Sequence, residues 1–337
     1  MPWVVRDVVQ DLNKAVGRRW QGLDRLLPGR ADLPEGCAAP LVAAGANGRP
    51  AGLGVCRHQF VPADTLNQTW GSASQFSLIL RLREPDTSAA LDELLGRWRD
   101  HLAGLPEAGR VDTAAMVTWP ARDVSGVNAL LRHGMQAMTV IAVRPAEHPA
   151  AAGPVRPVRP GGPASAQDGA EDGAGLVIRE AGLGDLDAVT EFEMGVIRYD
   201  AQFGAAIIRP ATEALVRAET QVALAMRPAW AWLAERDGRP VGLVHVQPPE
   251  RSGWIADMTR PGVTVYLQTM FVRPGVRGSG VGAALVRHVH GVLDARGVQT
   301  TLLHYALMNP LSAPFWNRMG YRPLWTGWEV RPAASLR

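Results

Sequence analysis

Residues 264–291 read TVYLQTMFVRPGVRGSGVGAALVRHVHG. An apolar, β-branched run from Val263 to Val272 comes first and ends in Arg273-Pro274-Gly275. A basic, glycine-rich turn follows, and an amphipathic run begins at Ala283. The change from strand-like to helix-like periodicity predicts a strand, a loop and a helix in that order.

The turn has the chemistry of an anion site. Gly278, Gly280 and Gly282 place no Cβ between the backbone and a ligand, and they allow positive φ angles. The first amides of the following helix have no intrahelical acceptor and lie at the positive end of its dipole. Arg277 adds a forked cation. These features favour a pyrophosphate as the ligand.

Three interpretations of the turn are open. As Gly278-x-Gly280-x-x-Ala283 it could open a dinucleotide-binding unit, which needs an acidic residue at the end of the next strand. His304 stands in that region instead, on a strand predicted over 298–305. A purely structural glycine-rich turn is the second interpretation, and an acyl-CoA site is the third.

As Arg277-x-x-Gly280-x-Gly282, the loop resembles the acyl-CoA pyrophosphate signature of the GNAT (GCN5-related N-acetyltransferase) superfamily. The predicted order after Leu176 is a strand, two helices, a hairpin, the strand with its loop and helix, a strand, a helix and a strand. That order is what the GNAT fold would show. The resemblance implies an α/β (α+β) fold with a mixed central sheet flanked by helices.

Composition limits the class of protein. The chain has 337 residues, 47% hydrophobic and 20% charged, which is enough for two cores. Charges of both signs are interspersed along the chain and sum to +3, so we expect neither a nucleic-acid-binding nor a membrane-binding surface. Cys37 and Cys56 are too few for a disulfide framework, and no thiolate metal site is expected. With no signal-peptide or membrane-spanning pattern, we expect a cytoplasmic protein.

A proline-, alanine- and glycine-rich stretch divides the chain. Residues 146–175 cannot bury enough apolar surface to offset the entropy of ordering, which predicts a linker. It separates residues 1–145 from residues 176–337. The resemblance to GNAT domains covers the second part well and the first only as a scaffold.

The two parts repeat each other. Asn47-Gly48-Arg49-Pro50 aligns with Asp237-Gly238-Arg239-Pro240, and further matches follow in the same order up to Gly134 and Gly320. Between the aligned strand and helix the first part is about five residues shorter, and the Arg-Gly-Ser-Gly turn is missing. We therefore expect residues 1–145 to be a degenerate GNAT-like copy that does not bind acyl-CoA and packs against the second part.

The resemblance also implies the cofactor contacts. In the family, backbone amides of the strand before the loop hold the pantetheine arm and the thioester carbonyl, here with Phe271 and Val272 as expected donors. The co-substrate would be acetyl-CoA. The expected contacts are Met270, Phe271, Val272, Arg277, Gly278, Ser279, Gly280, Val281, Gly282, Asn309 and Phe315.

The groups that usually move protons in the family are absent. Tyr266 and Thr269 occupy the positions where many members have a carboxylate, and Trp316 stands where many have a tyrosine. The indole N–H is a poor acid. His304, with Tyr266 beside it, is the best remaining titratable group and the predicted catalytic pair. An ordered water could serve as the base instead.

The first two helices of the second part are expected to bind the acceptor. Carboxylates and aromatic rings there suit a cationic amine, although a solvated helix face is an equal alternative. The predicted acceptor contacts are Glu193, Tyr199 and Phe203, with Glu191, Arg198 and Asp200 nearby.

The sequence therefore predicts an N-acetyltransferase that acts on a small-molecule amine by direct attack in residues 176–337. A non-catalytic acyl-CoA sensor is the alternative from another class, since both usual proton-transfer groups are missing. A two-domain mycothiol synthase has the same layout, which leaves a thiol-pathway acceptor open. Either a monomer or a homodimer is compatible with the sequence.

Overall fold

One mixed sheet runs through a computed structural model of the protein, which describes residues 2–29, 32–33, 40–45, 49–85, 87–146 and 175–337. Its strands in chain order are β1 (Leu41–Ala44), β2 (Pro50–Phe60), β3 (Ser74–Leu82), β4 (Thr113–Pro120), β5 (Gln136–Pro145), β6 (Leu176–Glu180), β7 (Ala231–Arg236), β8 (Arg239–Gln247), β9 (Thr264–Val272), β10 (Thr300–Ala306) and β11 (Arg322–Val330).

Helices cover both faces of this sheet, which confirms the predicted fold class. They are α1 (Pro2–Leu23), α2 (Thr87–Ala103), α3 (Val127–Arg132), α4 (Leu186–Ala201), α5 (Thr212–Ala225), α6 (Gly253–Ala256), α7 (Val281–Ala295) and α8 (Ser312–Arg318). In the second half α7 packs on one face, and α4 and α5 pack on the other. The described residues contain no helix that is long and apolar enough to cross a membrane.

The two halves of the chain exchange strands at the middle of the sheet. The strand order is β1-β2-β3-β4-β11-β5-β10-β9-β8-β7-β6. The last strand of the second half, β11, therefore lies between β4 and β5, and the last strand of the first half, β5, lies between β11 and β10. All the contacts of these two strands at the junction are antiparallel. Each half completes the sheet of the other.

The cores follow the same exchange. Trp328 of β11 belongs to the apolar cluster of the first half, where α2 and α3 pack. Val140 and Ala142 of β5 belong to the cluster under α7 in the second half. Arg144 of β5 adds a paired ion bridge to Asp294 of α7, with nitrogen-to-oxygen distances of 3.0 and 3.1 Å. The halves are joined by shared core as well as by backbone hydrogen bonds.

The internal repeat is visible in the fold. β2, β3, α2, β4 and α3 of the first half correspond in order to β8, β9, α7, β10 and α8 of the second. Gly134 and Gly320, aligned in the sequence, both end a short helix with positive φ angles of 79° and 84°. Four residues separate β3 from α2, whereas eight separate β9 from α7. The predicted shortening is thus present in the first half, at the turn that corresponds to the glycine-rich turn of the second half.

Two elements were not predicted, and some predictions lie outside the described residues. The sequence analysis predicts neither strand β5 nor the short helix α6. The helix before Phe203 ends at Ala201, and α7 begins at Val281 rather than Ala283. The Asn47-Gly48 turn, Asp86 and nearly all of the predicted linker at 146–175 fall outside the described residues.

Candidate active site

Strands β9 and β10 separate after a short paired stretch. They pair in parallel only from Thr264 opposite Thr300 to Tyr266 opposite Leu302. Beyond this point β9 stays with β8, and β10 stays with β5. The result is a splay, a V-shaped gap between residues 267–272 and 303–306. Backbone groups of β9 on this side have no strand partner, so they are available to an extended ligand.

The register of β8 and β9 decides which amides face the splay. Arg273 donates its amide to Val241, and Phe271 lies opposite Leu243 in the same antiparallel register. Because hydrogen-bonded and non-bonded pairs alternate, the Phe271 amide points to β8, and those of Met270 and Val272 point into the splay. Of the two expected donors, Val272 faces the gap and Phe271 does not. An extra residue in β9, in the bulge at Gln268, breaks this register below Thr269.

The glycine-rich turn at the end of β9 is open. Gly278 and Gly280 have φ angles of 81° and 85°, and a Cβ on either would meet nothing within 4 Å. In the described part of the chain five amides here have no acceptor, and three of them are the first amides of α7. These amides belong to Gly278, Gly280, Val281, Gly282 and Ala283. The turn therefore offers an anion several donors on exposed backbone.

Gly282 serves a different purpose from its two neighbours. A Cβ there would lie 2.7 Å from Met270 Cε, 3.3 Å from Val272 Cγ2 and 3.5 Å from Phe315 Cε2. The glycine allows the first turn of α7 to approach β9 and α8 closely. It thereby brings three of the predicted cofactor contacts together beneath the helix N-terminus.

Two arginines stand beside the open turn. Arg277 donates Nε to the Val272 carbonyl at 3.0 Å, and its guanidinium lies 5.3 Å from the Tyr199 ring and 5.8 Å from the Phe271 ring. Its terminal nitrogens make no hydrogen bond within the described residues. Arg236 of β7 reaches Ser279 Oγ at 3.4 Å. Both cations can approach an anion held by the turn.

The C-terminal end of α4 crosses the splay. Asn309, in the loop after β10, donates its side-chain amide to Asp200 Oδ1 at 3.4 Å and accepts the Leu311 amide. Burial raises the pKa of the Asp200 carboxyl to about 6, more than Asn309 lowers it. Tyr199 and Phe203 lie next to it, with ring centroids 5.4 Å apart. Two predicted acceptor residues and one predicted cofactor residue thus meet at one place.

The predicted catalytic pair lies together at the closed end of the splay. His304 Nδ1 is 3.2 Å from the Tyr266 hydroxyl. Burial lowers the pKa of His304 to about 4, so its imidazole is neutral at pH 7 and can accept a hydrogen bond from the tyrosine hydroxyl. The Trp254 ring lies parallel to His304, with centroids 6.1 Å apart, and is 60% exposed. This end of the site is lined by aromatic rings and is open to solvent at Trp254.

Trp316 is a core residue. It packs edge-on against Phe315 and Tyr321 in the cluster under α7, and it is 7% exposed. The Tyr321 hydroxyl is 3.1 Å from His290 Nε2, and burial raises the pKa of Tyr321 above its ordinary value. Trp316, at the position where the sequence resemblance would place an acid, therefore packs in the core.

Glu193 is not placed to bind an acceptor. Its carboxylate is 4% exposed, with Oε1 2.6 Å from His245 Nδ1 and Oε2 accepting from Thr220 at 2.8 Å. Both oxygens are occupied by protein partners, since the side chain points into the space between α4, α5 and β8. Glu193 is an internal link among these elements, contrary to the sequence prediction. The helix face could not be assigned correctly without knowing where α5 packs.

An arginine of α1 reaches the corresponding turn of the first half. Arg19 of α1 donates to Glu84 at 3.2 Å, to Asp123 and to Ser125. Helix α2 begins at Thr87, with four residues between it and the end of β3 at Leu82, so the connection is shorter than the one between β9 and α7. The first half thus has side chains of its own at the place where the second half has an open turn.

Two residues near the site were given no specific role in the sequence. Arg236 is the last residue of β7 and begins a hairpin turn that served only to align the two halves in sequence. Its position beside Ser279 depends on the order of the strands in the sheet. Asp200 was grouped with other polar residues of α4, and only the fold separates it from Glu193. Because the two residues are seven positions apart, a helical period of 3.6 places them on the same face of α4, and periodicity could not have distinguished them.

Comparison with known proteins identifies a domain within the second half. The model of the acetyltransferase (GNAT) domain matches residues 228–323, which include the splay and the open turn. None of the curated proteins compared with the chain matches it significantly.

One solved structure supports the fold, and two further ones are similar to the chain over nearly its whole length. A GCN5-related N-acetyltransferase from Sphaerobacter thermophilus has a TM-score of 0.51 and 18% identity, over 88% of this chain and 83% of its own. One from Kribbella flavida has a TM-score of 0.41 and 16% identity, with 95% of each chain covered. A tandem GNAT protein from the clavulanic acid biosynthesis pathway has a TM-score of 0.41 and 14% identity, over 96% of this chain and 93% of its own. Residues 228–323, which carry the splay and the open turn, are thus the part of the chain that matches the acetyltransferase (GNAT) domain.

Proposed function

We propose that residues 176–337 bind acyl-CoA and transfer its short acyl group, acetyl, to the amine of a small molecule. Residues 1–145 are then a degenerate copy without a cofactor, and residues 146–175 are the linker. The observation that carries this proposal is the open turn at 277–282, where five free amides meet the N-terminus of a 15-residue helix. A diphosphate satisfies these donors at once.

The cofactor would lie along β9. The diphosphate would rest on the turn, with Arg277 and Arg236 supplying charge. The pantetheine amides would bond to the backbone of Met270 and Val272, and Asn309 and Phe315 would flank the arm. The thioester carbonyl would then accept a hydrogen bond from a β9 amide, which stabilises the negative charge that develops on its oxygen.

The reaction in this proposal is direct attack. The amine nitrogen forms a bond to the thioester carbon, the carbon–sulfur bond breaks, and CoA leaves as the thiolate. The proton lost by the amine goes to Asp200, because a carboxylate with a pKa of about 6 is ionised at pH 7 and still basic. His304, with a pKa of about 4, is the weaker base, and its part is to hold the Tyr266 hydroxyl at the closed end.

The acceptor would approach between the end of α4 and Trp254. Asp200 supplies a carboxylate, and Tyr199, Phe203 and Trp254 supply aromatic surface. Such a cleft suits a primary amine on a partly apolar molecule, since a cation is attracted by both the carboxylate and the ring faces.

Isothermal titration with acetyl-CoA tests the proposal. We expect the wild-type chain to bind, and Gly280→Leu to bind at least about tenfold more weakly because the side chain fills the space of the diphosphate. Gly297→Leu is the matched control, since Gly297 ends the same helix with a φ of 74° and open space around it. Absence of wild-type binding, or equal binding by both variants, would refute the acyl-CoA site.

An acyl-CoA sensor without turnover is the second candidate. The observation that favours it is the buried Trp316, which leaves the departing thiolate without the usual acid. Release of the CoA thiol is measured with a panel of alkyl, aryl-alkyl and amino-sugar amines. Turnover that falls in Asp200→Asn supports the enzyme, whereas binding of acetyl-CoA without thiol release across the panel supports the sensor.

A further inference from the structure

The loop between α4 and α5, residues 202–211, is held by the first half of the chain. Arg209 forms a two-point ion pair with Asp112 of the first half, at 2.9 and 3.2 Å. It also donates to the carbonyls of Gln68 and Gly71 at 3.0 and 3.3 Å. The Ile207 amide donates to the Thr69 carbonyl at 2.7 Å. One short segment of the first half thus binds both backbone and side chain of this loop.

Apolar packing continues the same contact. Leu66, from the 3-10 helix Leu66–Trp70 of the first half, is buried with Met194, Ile197, Ala206 and Val216. These residues belong to α4, the loop and α5. The loop therefore rests on the first half through a small core of its own, in addition to its polar contacts.

Asp112 is also held by hydrogen bonds within the first half. Its Oδ1 accepts the Ala73 amide at 3.0 Å, and its carbonyl accepts the Ser74 amide at 3.2 Å. Burial raises the pKa of Asp112, but the bonds from Arg209 and Ala73 outweigh it and leave the pKa below its usual value. The carboxylate is charged at neutral pH and is held rigidly against β3, so it can serve as an anchor.

The first half also reaches the cofactor side of the cleft. The Met138 carbonyl of β5 accepts the Leu307 amide at 2.8 Å, in the loop that carries Asn309. The Met138 side chain lies against Gly204, where a Cβ would come within 3.4 Å of Cε. Met138 thus touches the acceptor loop and the cofactor loop at once.

We propose that the first half, through Asp112 and residues 66–71, positions the 202–211 loop and thereby sets the affinity for the amine acceptor. This inference rests on the proposed function, because it assigns that loop to the acceptor cleft. It gives the degenerate half a task that needs no ligand of its own. Asp112 and Arg209 are positioning residues, since they act through Phe203 and the end of α4.

Hydrogen–deuterium exchange of the full chain tests the anchor directly. We expect the peptide that covers 203–211 to exchange about fivefold faster in Asp112→Asn and in Arg209→Gln, as the loss of one half-exposed ion pair predicts. The double variant should exchange no faster than Arg209→Gln, because that single change already removes the ion pair together with the donations to Gln68 and Gly71. Asp92→Asn is the matched control, since the Asp92 side chain is 46% exposed against 42% for Asp112, and its ion pair with Arg132 lies within the first half.

Kinetics separate positioning from general loosening. With the panel amine that gives the highest kcat/KM, we expect the amine KM to rise about fivefold in Asp112→Asn while the KM for acetyl-CoA stays unchanged. The inference is overturned if exchange at 203–211 matches the control, or if both KM values rise together. Failure of the proposed function appears separately, as absence of acetyl-CoA binding to the wild-type chain.

Discussion

Asn309 and Asp200 join the two sides of the splay through one hydrogen bond of 3.4 Å from amide to carboxylate. Asn309 comes from the loop after β10, and Asp200 from the last turn of α4. The residue predicted to contact the cofactor therefore holds the carboxylate proposed to accept the proton. Binding of acyl-CoA against Asn309 and deprotonation of the amine by Asp200 would then depend on the same contact.

A first prediction concerns pH. Asp200 has a pKa of about 6, so the wild-type rate should fall as pH decreases through that value, because the protonated carboxyl cannot accept a proton. Asp200→Asn should lower kcat about 100-fold at pH 7.5 and remove this limb. Thiol release between pH 5 and 8.5 measures both effects.

His304→Ala is the comparison for that experiment. It should retain the limb near pH 6, because His304 has a pKa of about 4 and titrates outside this range. A limb that disappears in His304→Ala and persists in Asp200→Asn would assign the base to histidine, as the sequence alone predicted.

A second prediction concerns the cation beside the turn. Arg277→Met should weaken acetyl-CoA binding about tenfold, since a charge-assisted hydrogen bond to phosphate is lost. Arg239→Met, in the exposed β7–β8 turn, should leave the dissociation constant unchanged. Titration calorimetry at two salt concentrations is the measurement, and the difference between the variants should shrink at the higher one. Equal affinities would mean that Arg277 keeps its guanidinium on Tyr199 when the cofactor binds.

A third prediction concerns acid stability. Burial, with the positive charge of Arg144 adding to it, lowers the pKa of His290 to about 3, and burial lowers that of His304 to about 4. Between about pH 4 and 6.5 the unfolded chain binds more protons at these positions, so the folded state loses stability as pH falls through that window.

Urea unfolding at several pH values tests this sign. His290→Gln should reduce the slope of the unfolding free energy against pH by up to about 1.4 kcal/mol per unit. The exposed His101→Gln should leave the slope as it is in the wild type. An unchanged slope in His290→Gln would show that the imidazole is not kept neutral in the folded state.

A fourth prediction follows from the exchanged strands. A protease site placed between residues 160 and 161 should allow the chain to be cut while the halves remain together on a sizing column. Expression of 176–337 alone should give no monomer with cooperative unfolding, because β10 and β11 then lose the strand between them. A soluble, active monomeric fragment would contradict the role given to β5.

The sequence prediction was most accurate for features that depend on residues close to one another in the chain. The strand, turn and helix of 264–291 and the shortened turn of the first half depend on near neighbours, and the structure has both. The burial of the Glu193 carboxylate and the direction of the Phe271 amide could not be predicted, because they depend on α5 and on the β8 register, which are set by distant segments. Strand β5 had an apolar pattern in TVIAV, but it stands alone in the sequence, and its partners come from β10 and β11.

The interleaving of β5 and β11 has a consequence for the order of folding during synthesis. In the finished sheet Val117 lies opposite Trp328, which is added 211 residues later during synthesis. One edge of β4 therefore stays uncovered until β11 has been made. Contacts of such long sequence separation slow folding and leave an edge open to wrong partners. The nascent protein should depend on chaperones more than its size alone would suggest.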